Sequence, residues 1–136
     1  MSYAVTQALQ AALFDLVAND PGVQGLIGAG VFDAPPSGVV PETYLVIGEE
    51  DVRVQTDTSG AVMQHDLHIN IFSGAAGFAR AKAVAVAVSD ALQDAAPVLT
   101  RGRLVGLEFR RARARRGSRA GSRRIELIYR ARVEDI

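Results

Sequence analysis

Apolar residues recur at helical spacing near the start of the chain. Val5, Leu9, Ala12, Leu13, Leu16 and Val17 share one stripe, which predicts a helix over residues 3–19. Ser2 is placed to cap it. Asn19-Asp20-Pro21-Gly22 is placed to end it, because proline cannot continue a helix and glycine turns the chain. Residues 23–42 read mostly as connection. Gly25, Gly28 and Gly30 loosen the backbone, Val31-Phe32 suits a short edge strand, and Pro35, Pro36 and Pro41 force extended conformations. Such a loop on a small domain often serves partner contacts.

The pattern then changes from helical spacing to alternation. Tyr44-Leu45-Val46-Ile47-Gly48 predicts a strand, followed by the acidic run Glu49-Glu50-Asp51 and a polar, turn-prone tip from Gln55 to Gly60. From about Val62 to Phe72, Met63, His65, Leu67, Ile69 and Ile71 fall on one face and Gln64, Asp66, His68 and Asn70 on the other. The two runs predict an antiparallel hairpin with a long, mobile tip. Phe78, Ala81, Ala85, Val88 and Leu92 predict a second helix over residues 75–96, stopped by Pro97.

Two long strands are predicted over residues 103–116 and 123–134, joined by the turn-forming Gly117-Ser118-Arg119-Ala120-Gly121. A hairpin centred near Arg119 sets Phe109 against Tyr129 and Val105 against Val133, apolar to apolar. The order α-β-β-α-β-β predicts an α+β fold: an antiparallel sheet of about four strands, two helices packed on one face, and a projecting C-terminal hairpin. The predicted core is Leu9, Leu13, Leu16, Val46, Leu67, Ile69, Ile71, Val84, Val88, Leu92, Leu107 and Tyr129.

Composition narrows the class. At 136 residues the chain fits one domain, residues 1–136, able to bury about two thirds of its unfolded surface. With 49% hydrophobic and 22% charged residues it reads as ordinary globular protein. No apolar run approaches the roughly 18 residues of a membrane span. The N-terminal Met1-Ser2-Tyr3-Ala4 lacks the basic side chains of a secretory signal, so a product made and kept in the cytoplasm is expected. The absence of cysteine excludes disulfides and thiolate chemistry.

Charge changes the picture more. The net charge is zero, yet residues 1–99 carry 11 acidic against 3 basic side chains, and residues 100–136 carry 4 against 12. Such asymmetry suits a basic surface meeting nucleic acid or an acidic partner, and also head-to-tail self-association. Arginine outnumbers lysine 14 to one, a bias that a GC-rich genome also produces.

Catalytic signals are weak. His65 and His68 are three apart on a strand, so they point to opposite faces and cannot share a metal ion. Glu49, Glu50 and Asp51 read as a solvated strand end or an acidic subunit contact. The glycine-rich Gly25-Leu26-Ile27-Gly28-Ala29-Gly30 lacks the Lys-Ser/Thr ending of a phosphate loop and the glycine order of a dinucleotide turn. No serine stands in a nucleophile elbow. The sequence therefore predicts no enzyme and no cofactor.

The arginine segment stands apart. Arg110, Arg111, Arg113, Arg115, Arg116, Arg119, Arg123 and Arg124 lie within fifteen residues that contain no acid. On a strand, Arg111, Arg113 and Arg115 continue the face that Val105, Leu107 and Phe109 bury lower down. Three guanidinium groups are not buried unpaired, so the hairpin is expected to project beyond the core, into solvent, nucleic acid or another subunit. Without aromatic residues between Phe109 and Tyr129, stacking on single-stranded bases is not expected; backbone contact with duplex DNA stays open.

Glu42-Thr43-Tyr44-Leu45-Val46-Ile47-Gly48, then His65-Asp66-Leu67-His68-Ile69-Asn70-Ile71-Phe72-Ser73, then an alanine-rich helix and a C-terminal strand pair resemble the small tail completion, or tail terminator, proteins of long-tailed phages. The composition resembles in particular the tail terminator of an alphaproteobacterial gene transfer agent, a domesticated phage-like particle. The resemblance implies a hexameric ring that caps the tail tube, meets the head-side connector or stopper protein, and passes DNA through its channel. It implies no catalytic residue. The neck position of a head-completion protein (stopper or adaptor) and a nucleic-acid-binding module built on the arginine hairpin are the alternatives.

Overall fold

The structure, a computed structural model, describes residues 3–55, 62–119 and 121–136. Three helices and five strands follow in the order α1 (Thr6–Ala18), α2 (Pro21–Ile27), β1 (Val31–Phe32), β2 (Thr43–Val54), β3 (Val62–Ser73), α3 (Ala79–Leu92), β4 (Arg103–Arg116) and β5 (Arg123–Glu134). They make one sheet in the order β1-β2-β3-β5-β4. All pairings are antiparallel except that of β1 with β2. The α+β class stands, with one more strand and one more helix than the sequence predicts.

The extra helix is α2. Pro21 ends α1 and opens α2, because its ring fixes a helical φ and its missing N–H is not needed in a first turn. Asp20 caps it: its Oδ2 accepts from the Val23 N–H at 3.0 Å. At the start of α1 the capping position is taken by Val5, and Ser2 lies outside the described residues. At the end of α3, Gln93 turns to extended backbone and Asp94 then takes a left-handed φ of 55°, so the helix ends at Leu92, well before Pro97. The predicted tip beyond Gln55 falls outside the described residues.

The helices cover one sheet face. α1 lies over β1 and β2, α3 over β3 and β5, and α2 braces the two helices from the side. Leu9, Leu13, Val17, Val84, Val88 and Leu92 descend onto Leu45, Ile47, Leu67, Ile69, Ile71, Ile125, Leu127, Tyr129 and Val133. Each buried side chain of this size contributes roughly 1.5–3 kcal/mol. Leu16 and Leu107 pack against this core half-buried. Val46 does not join it: Leu45 pairs with Ile71 and Ile47 with Ile69 on the helix side, which leaves Val46 on the other face beside Asn70. A run of four apolar residues carries no alternation, so its parity is invisible in the sequence.

β4 corrects two further expectations. Extra residues interrupt its pairing with β5 between Leu104 and Gly106 and between Phe109 and Arg111. Phe109 does face Tyr129, but Val133 faces Leu104, not Val105. The extra Arg110 resets the alternation. Ala112 and Ala114 therefore follow Phe109 on the helix side, opposite Leu127 and Ile125. Arg111, Arg113 and Arg115 stand opposite Ile128, Glu126 and Arg124, on the face without helices. They do not continue the face of Leu107 and Phe109.

Candidate functional site

The face without helices is a charged surface held in order by the strand register. One row across the sheet reads Asp51, Asp66, Arg130, Glu108; the row above it is His68, Ile128, Arg111. Arg130 grips Asp66 with two parallel hydrogen bonds, Nε to Oδ1 at 2.8 Å and Nη2 to Oδ2 at 3.2 Å. That grip holds the Asp66 carboxyl below its ordinary value of 3.8, against the opposing pull of burial. Arg132 donates to Glu108 at 3.1 Å, and Arg110 lies 3.6 Å from the same carboxylate.

His68 bridges two carboxylates. Its Nδ1 lies 3.1 Å from Glu126 and its Nε2 3.3 Å from Asp51. Both contacts are satisfied only when both ring nitrogens carry protons. Burial alone would lower its pKa, but the bonds to Glu126 and Asp51 outweigh it and raise the value above 6.5. Burial likewise opposes, and His68 with the nearby Arg124 and Arg115 outweighs, so that Glu126 lies below its ordinary 4.5.

The eight arginines of the hairpin separate into two groups. Arg124 donates through Nε and Nη2 to Asn70 Oδ1, at 3.0 and 2.9 Å, and lies over the Phe72 ring. Arg123 donates to the carbonyls of Gly121 and Ser122 and lies over Phe78. Arg115 is half-buried near Glu126, and Arg110 has its exposed pairing with Glu108. Arg111, Arg113, Arg116 and Arg119 are exposed and form no side-chain hydrogen bond or ion pair with the described residues. These four have guanidinium groups free to act on something outside the chain.

The acidic run divides as well. Glu50 lies on the helix side, where it accepts from the Tyr3 hydroxyl at 2.7 Å and from Thr6 Oγ1, and meets His65 Nδ1 at 3.3 Å. It ties the start of α1 to β2. Glu49 and Asp51 are exposed, Glu49 in an irregularity opposite His68 and Asp51 on the open face. His65 is fully buried on the helix side while His68 is on the open face, the opposition that the spacing of three requires.

Asp66, Glu108, Arg130 and Arg132 escaped the sequence reading. Each falls on a polar position of a strand and reads there as solvated. Asp66 meets Arg130 because β3 lies against β5, which no local pattern announces, and Glu108 meets Arg132 across the β4–β5 pair, whose register the extra residues in β4 shift.

A cavity of about 240 Å³ beside the hairpin turn is lined by Tyr44, Phe72, Ser73, Ser118, Arg119 and Ser122, with no base against a hydroxyl. Among the described residues no three His, Asp or Glu side chains are grouped to hold a metal ion, and no helix is long and apolar enough to cross a membrane.

Comparison with known proteins places the chain among tail proteins. The family described as tail completion protein gp17 matches residues 11–134. A chain in a solved structure of the virion of a native gene transfer agent particle is 53% identical, with a TM-score of 0.91 over 98% of this chain and 99% of that one. No curated protein sequence matches.

Proposed function

The chain belongs to the tail completion protein gp17 family, and from that premise we propose that it forms a ring capping the tail tube of a phage-like particle. The chain is a structural component of a phage-type tail, and a protein 53% identical to it is part of a gene transfer agent virion. In the proposed arrangement six copies form a ring that ends tube growth, joins the head-side connector or stopper protein, and passes DNA through a central channel. It acts by binding, with no catalytic residue or cofactor.

The observation that carries this reading is the separation of exposed charge. The unpaired Arg111, Arg113, Arg116 and Arg119 cluster on β4 and its turn, at one edge of the sheet, while the exposed Glu49 and Asp51 lie on β2 toward the other. A surface that is basic at one edge and acidic at the other favours heterologous, head-to-tail contact, the geometry that closes into rings.

Native mass measurement and electron microscopy of the purified protein, alone and with tail tubes, test the proposal. Rings of six copies seated on one tube end are expected. A protein that stays monomeric at high concentration and ignores tube ends would contradict it.

The free arginines also favour a second reading, a module that grips the backbone of duplex DNA. It requires affinity that falls steeply with salt and collapses when Arg111, Arg113 and Arg116 are replaced by alanine. Absence of binding at low salt would remove it.

A further inference from the structure

Both edges of the sheet are incomplete. Among the described residues β4 pairs only with β5, so its fourteen residues present one backbone edge that none of them pairs. At the other edge β1 covers only Leu45 and Val46 of β2. The segment following β1 crosses at Gly48, where the Asp33 carbonyl lies so close that an added Cβ would meet it at 2.6 Å. From Glu49 to Val54 the outer edge of β2 makes no backbone hydrogen bond with the described residues. Long bare edges are templates for further strands. The helix side of β4 is bare from Phe109 onward: Phe109 faces the same side as the core yet is 53% exposed, and Ala112 and Ala114 beyond it are exposed too.

We propose that β4 of one copy adds antiparallel to the Glu49–Val54 edge of β2 in the next copy, two residues out of level, so that the sheets of neighbouring copies become continuous. The inference rests on the ring reading. The strand directions allow it. β2 and β5 run one way and β3 and β4 the other, so a β4 set beside a neighbour's β2 in a sheet of the same orientation is antiparallel to it. The neighbour's α1, which lies over its own β1 and β2, then approaches the bare helix side of β4.

The charges select the register. A shift by an odd number of residues would turn apolar positions to the wrong face. Level alignment sets Glu108 against Asp51, because the two share a row, and a shift of two in one direction brings Glu108 to Glu49. Both are like-charged contacts. A shift of two the other way sets Arg111 against Asp51, Glu108 against Arg53, Phe109 against Val52, Leu107 against Val54, and Arg113 against Glu49. The charged pairs set across the seam are then opposite in sign, and Phe109 and Leu107 each meet a valine; Ala112 falls opposite Glu50. A shift of four returns Arg111 to Arg53, again like to like. The favoured stagger is roughly 7 Å. A sheet that closes on itself requires tilted strands and a stagger of this kind.

The cysteine-free chain suits a direct test. Paired residues of an antiparallel ladder have Cα atoms about 4.5–5.5 Å apart, within disulfide range. The variant carrying Arg111→Cys with Asp51→Cys should give, on oxidation of assembled protein, a ladder of covalent multimers ending at the ring number. Glu108→Cys with Asp51→Cys, the level register, should give none. The reversals Arg111→Asp and Asp51→Arg, each confirmed as folded by circular dichroism, should each lose assembly, and their combination should recover it. Rings of normal mass without the first cross-link, or with the level one, would overturn the strand pairing and leave the ring reading standing. Covalent dimers from Arg111→Cys alone would show β4 pairing with itself and overturn it too. Wild-type protein that never leaves the monomer would overturn both.

Discussion

His68 is held between Glu126 and Asp51 on the open face, and its protonation links stability to pH. Its pKa in the folded chain is raised, so its contribution is fully present below the ordinary value of 6.5 and is lost as pH rises through the folded value. Asp66 and Glu126 behave in the opposite sense. Their values are lowered, so their contributions are present above 3.8 and 4.5 and are lost as pH falls through the folded values. Thermal melts should therefore show the wild type ahead of His68→Gln at about pH 5.5, with the gap narrowing by about pH 8.5. An equal gap at both would refute the bridged imidazolium. The same scale tests which residues of the first long strand are core. Leu45→Ala should cost about 2–5 kcal/mol, because Leu45 is fully buried among the helices, and Val46→Ala about 1 kcal/mol or less. Denaturant unfolding measures both, and similar losses would mean that the strand faces are assigned wrongly. Leu67, Ile69 and Ile71 were legible in the sequence because polar residues separate them; Leu45 and Val46 were not, because nothing does.

Whole elements were legible where one period ran without interruption. β4 and β5 match the predicted ranges, and the alternation of β3 placed His65 inward and His68 outward. What failed has a local cause in each case. α2 is seven residues with two glycines, too short for a stripe, and its Asp-Pro start reads equally as the end of α1. The irregularities in β2 and β4 each insert residues without a sequence mark, and β4's second one moved Arg111, Arg113 and Arg115 to the open face. This makes an unusual prediction. Deleting Arg110 removes the extra residue and keeps every later pairing, so the variant should fold with a stability change of about 1 kcal/mol or less. On an unbroken strand the same deletion would turn the whole distal half over. Loss of cooperative unfolding would contradict the bulge assignment. The candidate site was half legible for the same reason. The arginine cluster stood out by density alone, but which arginines are free followed only from Asn70, Asp66 and Glu108 coming to lie beside their partners.

At the scale of the molecule, one helix-covered face gives stability, and the other face and the two edges are left for contact. The hairpin that the sequence predicted as a projection lies within the sheet: β5 is flanked by β3 and β4, and β4 is the edge, its distal half basic and exposed. Its arginines are not spread as a general phosphate-binding surface, since Arg123, Arg124, Arg130 and Arg132 are committed within the chain. On the proposed reading, a subunit of this design is completed by copies of itself. The central claim, that these copies end the tail tube, is tested most directly by the length of tails made without the protein. Electron microscopy of particles assembled in its absence should show tubes of uncontrolled length that carry no heads. Tails of normal, uniform length joined to heads would contradict the account.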